Sequence, residues 1–348
     1  MSFYTITETS FKKNQNKKSV PLPYLLPQTA ENKIFYENGL SHLIPRLTVK
    51  VHSSVEECNL LWKKFSKKQT LFDEWDFRYA WYEGYQCPLY FYTVYEGKKP
   101  LAVLPLWYDD EKKQYLWFGS DWMENNYFFV EDPKFINLLL RIIPRPFFLN
   151  GLKEKSYDIE LDEVKVIPDD HKFFKNIRQF SHIDAYLATL GKKHRYNLKR
   201  DYQCIMDLSP RIEISNSSDF NEFKHVIELS KHRFAPEDEN DLEEDARVET
   251  YRAILKNSGT YKTKFIKVYI QNYLAAVDFN ILYKNIYYTP RGANDIHRFP
   301  GIGNFMTYLE FEDAIKDGFG ILDCLQIDYS WKHKYFDAEK MVSFEKKM

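Results

Sequence analysis

The stretch "HRFPGIGNFMTYLEFEDAIKDG", residues 297–318, decides the fold, because two glycines stand directly before a helical pattern. After Gly303, apolar residues recur at the spacing of one helix face with charged residues between them: Phe305, Met306, Leu309, Ala314 and Ile315. Asp317-Gly318 supplies the stop that commonly follows a helix. The preceding segment "NIYYTPRGAN", residues 285–294, is aromatic and β-branched and predicts a strand. The predicted order is strand, glycine turn and helix.

A glycine turn in this place is suited to binding a phosphate. The first backbone N–H groups of a helix have no partner inside the helix, and the helix dipole adds partial positive charge. Glycines allow an anion to come close to the backbone. Pro-Gly-x-Gly is also the sequence of an ordinary loop, so the stretch alone leaves a plain turn as the alternative.

The composition limits the class of protein. A chain of 348 residues is long for one core and predicts two domains, and 49 basic against 50 acidic residues give no general attraction to DNA or membranes. The four cysteines form no C-x-x-C pair and predict buried free thiols in a reducing compartment, while the histidines show no metal-ligand spacing. No apolar run has the length of a membrane span, and the first 20 residues lack the apolar core of a signal peptide. We therefore expect a cytoplasmic protein without a metal.

Two series of elements come after a polar start. Residues 1–47 predict an extended arm, residues 48–170 a first domain and residues 171–348 a second. If Val94 is placed over Val268 at a constant offset, Phe91 falls on Phe265, Tyr95 on Tyr269 and Ala102 on Ala276, each within a predicted hairpin. The repeat predicts two copies of one α/β fold. Only the second copy has the glycine turn, since "SDWMENNYFFVEDP" (120–133) stands at the matching place.

Each series also contains a helical segment with a recognisable start or break. In the first series, "DPKFINLLLRII" (132–143) predicts a helix with Asp132 as its cap and Pro133 at its first position. In the second series, "SHIDAYLATLGKKHRYNLKRDYQ" (181–203) predicts a mainly helical segment with a break at Gly191. Its basic residues would suit an anionic substrate, and a solvated helix face is the alternative.

The glycine stretch resembles a known motif. Arg298-Phe-Pro-Gly301-Ile-Gly303 is similar to the phosphate loop of the GNAT superfamily of N-acetyltransferases, Arg/Gln-x-x-Gly-x-Gly/Ala. More narrowly, the chain resembles the duplicated relatives of that fold, which are the FemAB-type peptidyltransferases and the acetyltransferases associated with polysaccharide biosynthesis. Three further segments carry this resemblance: "LATLGKKHRYNLKR" (187–200), "ILDCLQID" (321–328) and "YSWKHKYF" (329–336).

The resemblance implies a fold and a site. The fold would be α/β with a mixed α+β sheet, built as two tandem GNAT-like domains of which the second carries the acyl-donor site. The donor would be acetyl-CoA or another acyl-CoA. The residues that would hold its phosphates are Arg298, Gly301, Ile302, Gly303 and Asn304.

Acyl transfer to an amine also needs an oxyanion donor and a proton acceptor. The resemblance places the oxyanion donor on the strand before the loop, near Thr289–Gly292. Asp278, Asp295 and Asp323 are candidate bases, and the resemblance favours Asp323. It also makes Lys332 a catalytic cation for the oxyanion or an anionic group, while a surface lysine in a lysine-rich segment is the alternative.

The expected activity is N-acyl transfer from acyl-CoA to the amino group of a small molecule, an amino sugar or a cell-envelope precursor, such as a nucleotide sugar or a peptidoglycan-type acceptor. One alternative is a FemAB-like peptidyltransferase that uses aminoacyl-tRNA, and only there would tRNA be a partner. No sequence pattern predicts the coiled-coil insertion that is common in FemAB-type proteins, which speaks against this alternative. The other alternative is a ligand-binding protein that has lost the chemistry.

Overall fold

The computed structural model describes residues 19–26, 40, 42–144, 146–154, 157, 159, 161–233 and 244–347, without the side chains of 232 and 233. Most of the predicted arm, 1–47, therefore lies outside the described residues, as does the greater part of the acidic segment 236–245. The strands, in chain order, are β1 Val20–Pro21, β2 Leu47–His52, β3 Leu89–Glu96, β4 Lys99–Asp109, β5 Gln114–Trp117, β6 Phe129–Val130, β7 Phe147–Lys153, β8 Lys165–Asn176, β9 Arg211–Asn216, β10 Lys262–Ile270, β11 Tyr273–Tyr283, β12 Ile286–Asn294, β13 Ile321–Asp323 and β14 Asp337–Lys346. The helices are α1 Leu22–Leu25, α2 Val55–Phe65, α3 Trp75–Tyr85, α4 Phe135–Ile142, α5 Ile183–Thr189, α6 Lys192–Met206, α7 Phe220–Arg233, α8 Asp245–Lys256 and α9 Ile302–Lys316.

The chain forms two compact units. The first lies within residues 1–78, 86–169 and 341–348, and the second within 79–85 and 170–340. In the first unit the strand order is β1-β2-β3-β4-β5-β7-β14, with β14 counted from Met341, and β6 pairs with β4. In the second unit the order is β8-β13-β12-β11-β10-β9, with β8 counted from Asp170. Each unit has one parallel pair, β5 with β7 and β12 with β13, so both sheets are mixed, as predicted.

The two hairpins share their register. In β3–β4, Val94 pairs with Ala102, and in β10–β11, Val268 pairs with Ala276. The register shifts directly after Val94 in one hairpin and directly after Val268 in the other, which marks a bulge at the same step. The correspondence predicted from the sequence is confirmed down to this irregularity.

Helix α9 is the centre of the second unit. It packs against β11, β12, α5 and α6, and it is buried on nearly all sides. The expectation of one apolar stripe is therefore wrong, since Glu310 and Asp313 are buried as well. The sequence pattern could not show this, because charged residues on a helix normally face water.

Other local expectations have mixed outcomes. The break at Gly191 is confirmed, since Gly191 is the N-cap of α6. Helix α4 begins at Phe135 with Lys134 as its N-cap, so Asp132 and Pro133 precede the helix, and Asp132 Oδ1 accepts from the backbone N–H of Lys134 (2.9 Å). Cys58 and Cys324 are buried free thiols as predicted, but Cys204 is exposed. In the described part of the chain, no helix is long and apolar enough to cross a bilayer.

Candidate active site

The glycine turn is the N-terminus of α9. Gly301 is the N-cap residue and has φ 92°, a left-handed conformation that favours glycine. A Cβ added to Gly301 would lie 3.1 Å from both Cβ and Cγ of Asp201, so the side chain of Asp201 already occupies that side of the loop. Gly301 is thus required by the backbone and by packing.

Gly303 and the backbone around it have a different environment. A Cβ added to Gly303 would meet no atom within 4 Å. The N–H of Ile302 donates to Phe299 O (3.1 Å), whereas the N–H groups of Gly301, Gly303 and Asn304 have no acceptor among the residues that the structure describes. Unpartnered N–H groups at a helix N-terminus are the type of donor that commonly binds anions in proteins.

Arg298 adds a cation to the loop. Its guanidinium lies over the ring of Tyr273 at 4.2 Å, and within the described residues it pairs with no carboxylate. Asp295 holds the start of the loop, since its Oδ1 accepts from the backbone N–H of Arg298 (2.9 Å) and its Oδ2 accepts from the hydroxyl of Tyr273 (3.0 Å). Asp295 is therefore committed to the loop and is poorly placed as a base.

Two residues that the sequence did not indicate brace the first turn of α9. Asn304 Nδ2 donates to Asp201 Oδ2 (2.6 Å), and the hydroxyl of Tyr335 donates to Asn304 Oδ1 (3.0 Å). Arg200 donates from Nε and Nη2 to Asp201 Oδ1 (2.9 and 2.6 Å). The side chain of Asn304 thus supports the loop, and its backbone N–H remains available. No local pattern indicates Asp201, because its role depends on the packing of α6 against α9.

Strands β12 and β13 part at Tyr288, within the strand that leads to the loop. Their parallel pairing runs from Ile286–Ile321 to Tyr288–Asp323, and beyond Tyr288 no described strand pairs with that edge of β12. The register of β12 with β11 shifts between the pairs Tyr288–Ile281 and Arg291–Phe279. Thr289 and Pro290 therefore oppose the single residue Asn280 in a bulge, which lies in the segment where the oxyanion donor was predicted.

Asn280 is an unusual residue at this bulge. It is fully buried, and neither atom of its side-chain amide has a hydrogen-bond partner among the described residues. Buried polar groups are normally paired, and exceptions tend to occur at functional or hydrated places. The bulge therefore contains a buried polar side chain whose amide is unpaired among the described residues.

Asp323 ends β13 where the strands part. It is 4% exposed, and its Oδ1 lies 3.0 Å from Nζ of Lys172, a side chain that is 3% exposed. The same oxygen accepts from the backbone N–H of Leu325 (3.0 Å). The sequence did not indicate Lys172, since the pair forms only when β8 lies beside β13.

Lys332 lies beside the same strand end. Its Nζ donates to Cys324 O (2.7 Å) and to Gln326 O (2.6 Å), and the residue is 5% exposed. The lysine therefore holds the chain that leaves β13, where Leu325 and Ile327 have φ of 61° and 69°. Asp323 and Lys332 thus both lie at the end of β13, because Nζ of Lys332 donates to the carbonyl of Cys324, the residue after Asp323.

Cys324 follows Asp323 in the chain, and its carbonyl accepts from Lys332. Burial raises the pKa of its thiol to about 12, and the nearby Lys332 opposes this rise. The thiol is consequently neutral at ordinary pH and is a weak nucleophile. A mechanism through an acyl-cysteine at this position is disfavoured.

The third candidate base, Asp278, belongs to a buried carboxyl pair. Asp278 on β11 and Glu310 on α9 are 5% and 6% exposed. Burial, together with the charge and hydrogen bond of Asp278, raises the pKa of Glu310 well above its ordinary value. One proton is therefore shared by the pair. Gly292 opposes Asp278 on β12, and an added Cβ there would lie 2.3 Å from Asp278 Oδ1, so only glycine leaves room for the carboxylate.

A second polar group lies on the same side of the sheet. Nζ of Lys264 lies 2.6 Å from Asp313 Oδ2 and 2.6 Å from Asp317 Oδ2, and the hydroxyl of Tyr287 donates to Asp313 (3.0 Å). These contacts satisfy Asp313, which lies on α9 as Glu310 does. Among the described residues, no group of three or more His, Cys, Asp or Glu could hold a metal ion.

The arrangement resembles that of known proteins in sequence and in fold. Residues 192–333 match the family model of the acetyltransferase (GNAT) domain. The crystal structure of FemX is similar with a TM-score of 0.56 and 11% identity, over 85% of this chain and 96% of that chain. L-PGS from Bacillus licheniformis has a TM-score of 0.53 and 11% identity, over 85% and 92%. The tandem GNAT protein from the clavulanic acid biosynthesis pathway, solved without AcCoA, has a TM-score of 0.52 and 8% identity, over 86% and 97%.

These findings define the class. Residues 192–333 match a GNAT acetyltransferase domain, which lies in the second unit, and the chain has a tandem GNAT-like fold similar to that of FemX. The structural similarities, at 11% identity or less, concern the fold. No curated protein is similar to the chain in sequence.

Proposed function

We propose that the protein transfers an acyl group from an acyl-CoA, acetyl-CoA in the first instance, to an amino group. The observation that carries the proposal is the start of α9, where three backbone N–H groups lack acceptors among the described residues and Gly303 faces open space. A diphosphate fits this place because it accepts several hydrogen bonds and is attracted by the helix dipole. Arg298, Gly301, Ile302, Gly303 and Asn304 form the donor loop of this proposal, in a second domain placed at 171–348.

The reacting carbonyl then belongs where β12 and β13 part. The bulge at Thr289–Pro290 takes backbone groups of β12 out of the regular hydrogen bonding with β11. Beyond Tyr288, the other edge of β12 is not paired with any described strand. An N–H in this segment would donate to the oxyanion, although Pro290 has no N–H to give. Because the Cys324 thiol is neutral, direct attack by the amine is the favoured route.

Asp323 and Lys332 are the catalytic residues of this proposal. The amine loses a proton to Asp323 as its nitrogen bonds to the carbonyl carbon, and Asp323 returns this proton to the sulfur as the C–S bond breaks, so that the donor leaves as a thiol. Nζ of Lys332 donates to the carbonyls of Cys324 and Gln326, and this proposal gives its charge the role of stabilising the oxyanion or an anionic group. The proposed acceptor is the amino group of a small molecule, an amino sugar or a cell-envelope precursor.

The test is calorimetric titration with acetyl-CoA. Gly303→Val should weaken binding by at least about tenfold, because its side chain fills the open space before the N–H groups. Gly259→Val is the matched control, since a Cβ there also meets no atom within 4 Å, and it should bind like the wild type.

If acetyl-CoA binds, the next experiment identifies the acceptor. Incubation with amines and amino sugars should give a product heavier by one acetyl group in mass spectrometry. If the protein binds an aminoacyl-tRNA and no acyl-CoA, the donor is the aminoacyl-tRNA and the proposed acyl-CoA donor is wrong. Binding of acetyl-CoA without transfer to any amine would favour a ligand-binding protein.

A further inference from the structure

A row of polar side chains lies between α9 and the sheet, where a core is normally apolar. Glu310, Asp313 and Asp317 are three and four residues apart along α9 and its end, so they lie on one side of the helix. We call Asp278 and Glu310 the deep pair, since both are buried and they are hydrogen-bonded to each other. Lys264, Asp313 and Asp317 form the outer group, in which Nζ of Lys264 lies 2.6 Å from an oxygen of each carboxylate.

Asn280 lies between the deep pair and the outer group. It is two residues from Asp278 on β11 and directly opposes Lys264 on β10, so the three side chains share the face of the sheet that α9 covers. Asn280 is fully buried, and neither the oxygen nor the nitrogen of its amide has a hydrogen-bond partner among the described residues. The amide is therefore flanked by polar groups on both sides without being bonded to either.

Tyr287 shows that the deep pair and the outer group are close to each other. Burial raises the pKa of its hydroxyl, and the charges of Asp313, Glu310 and Asp278 raise it further. The hydroxyl donates to Asp313 Oδ2 (3.0 Å). One hydroxyl thus lies near members of both groups, and the break between the two groups is at Asn280.

An amide in this place suits an internal water. Leaving a buried amide without hydrogen bonds destabilises a fold, and an internal water commonly makes about three hydrogen bonds to buried polar groups that have no other partner. One water can donate to the Asn280 oxygen, accept from its N–H group and donate its second hydrogen to a carboxylate. A single water therefore satisfies both atoms of the amide and connects them to a neighbouring carboxyl group.

The row has one end near solvent and one end near the parted strands. Asp317 is 42% exposed and lines a cavity of about 370 Å³ together with Lys262 and Phe319. At the other end, the charge of Glu310 adds to burial in raising the pKa of the Cys324 thiol, so Glu310 lies near the end of β13. The row therefore extends from the interior of the second unit to its surface.

We infer that the Asn280 amide binds a buried water that joins the deep pair to the outer group, and that protons move along this row between the deep pair and the cavity. The water takes a proton from the deep pair as it gives one to Asp313, so the water itself is unchanged. Lys264 then passes a proton to Asp317 as it takes one from Asp313, and Asp317 releases it to solvent. The deep pair thus changes its protonation without the opening of α9. No step involves the acyl donor, so the inference is independent of the proposed function.

A crystal structure of the wild-type protein, at a resolution that shows ordered water, tests the site directly. We expect a water that is hydrogen-bonded to the Asn280 amide and to a carboxyl group of the deep pair or the outer group. An amide that contacts only apolar atoms, or that bonds a protein group directly, overturns the inference. No acyl donor is added, so the result does not depend on whether the protein binds one.

Infrared spectroscopy after a rapid pH jump tests the movement of protons. The carboxylic-acid band of the deep pair is identified as the band that Glu310→Gln removes. In the wild type this band should respond faster than α9 opens, which is measured by hydrogen exchange of the α9 amides. In Asn280→Leu, which has a similar volume but no polar group, the response should be slower by at least about tenfold. A response as fast as that of the wild type overturns the path.

Further variants complete the test. Asn221→Leu makes the same change at an exposed position on α7 and should respond like the wild type. Asn280→Ser keeps a polar group and leaves room for water, so it should respond faster than Asn280→Leu. Asp317→Asn changes the partly exposed end of the row and should slow the response, which keeps the test decisive if Asn280→Leu does not fold. A wild-type response in Asp317→Asn overturns the exit through the cavity.

Discussion

At the scale of single residues, the two glycines of the loop have opposite roles. Gly301→Ala should destabilise the fold by roughly 1–3 kcal/mol, because a non-glycine residue is strained at φ 92° and its Cβ meets Asp201 at 3.1 Å. Gly303→Ala should stabilise it by up to about 1 kcal/mol, since alanine is favoured in a helix and nothing obstructs its methyl group. Urea denaturation of both variants measures the two effects. A fall in stability for Gly303→Ala would show that the open space before it is closed in solution.

The variant Gly303→Ala also tests donor binding separately from the stability of the fold. Gly303→Ala should bind acetyl-CoA more weakly than the wild type although it is more stable, because its methyl group narrows the approach of a phosphate to the N–H groups. Calorimetric titration of acetyl-CoA measures this difference. Unchanged affinity would mean that the anion does not approach over Gly303.

Lys332 combines a structural role with a proposed catalytic one. Lys332→Ala removes the donor for the carbonyls of Cys324 and Gln326, and the loss of stability should be roughly 2–4 kcal/mol. Lys334→Ala, at an exposed residue two positions on, should stay within about 0.5 kcal/mol of the wild type. Denaturant unfolding and turnover with acetyl-CoA are measured on the same samples. A variant that keeps full stability but loses turnover would show that Lys332 acts on the substrate and does not hold the strand end.

At the scale of elements, the pair formed by α9 and β11 makes stability depend on pH. Burial raises the pKa of Glu310 in the folded state, so between its ordinary value and the raised value the folded protein binds one proton more than the unfolded chain. Stability should therefore fall as pH rises through this window, by up to about 1.4 kcal/mol per pH unit. Glu310→Gln carries no proton to lose and should flatten the slope. Glu249→Gln, at an exposed position, should leave it unchanged.

The measurement is urea denaturation at several pH values between about 5 and 8. Asp278→Asn should reduce the slope without removing it, since it takes away the charge of Asp278 while burial, the largest cause of the raised pKa of Glu310, remains. Asp313 and Tyr287 also face this layer, and their mutual hydrogen bond is unaffected by either substitution. A wild-type slope equal to that of Glu310→Gln would mean that the pair does not share a proton.

Elements with local signals could be predicted from the sequence, and contacts between distant elements could not. The hairpins, the break at Gly191 and the helix after Gly301 result from periodicity and turn residues, which act within a few positions. The buried charges of α9 could not be predicted, because the same residues would face water on a surface helix. The partner of Asp323 could not be predicted either, since Lys172 reaches it only through the strand order of the second unit.

The site shows the same division. The motif predicted the loop, but the different roles of Gly301 and Gly303 depend on a backbone angle and on the position of Asp201. Asp201 and Tyr335 brace Asn304 from two other segments, and neither carries a local signal. Asp323 and Lys332 lie near each other in the chain, but the hydrogen bonds that hold them at one strand end depend on β8 and on the turn after β13.

At the scale of the whole molecule, duplication raises the question of how many donors one chain binds. The first unit repeats the hairpin of the second with the same bulge, and its α4 comes after the hairpin as α9 does in the second unit. The start of α4 is different, because its first N–H groups have acceptors. Lys134 donates to Asp132 Oδ1, Phe135 to Asp132 O and Ile136 to Pro133 O. A phosphate could not accept from these N–H groups, because they already donate to other oxygens, one of which belongs to the carboxylate of Asp132.

We therefore expect one donor site per chain, in the second unit. Calorimetric titration of the wild type with acetyl-CoA should give a stoichiometry near one, and Gly303→Val should reduce the whole signal and not half of it. Asp132→Ala is the complementary variant: it removes the carboxylate at the start of α4, but the backbone acceptors of Phe135 and Ile136 remain, so no second site should appear. A stoichiometry near two, with one site surviving Gly303→Val, would place a donor in the first unit and contradict the argument from hydrogen bonding. A stoichiometry near one that is untouched by Gly303→Val would place the only donor site away from the glycine turn.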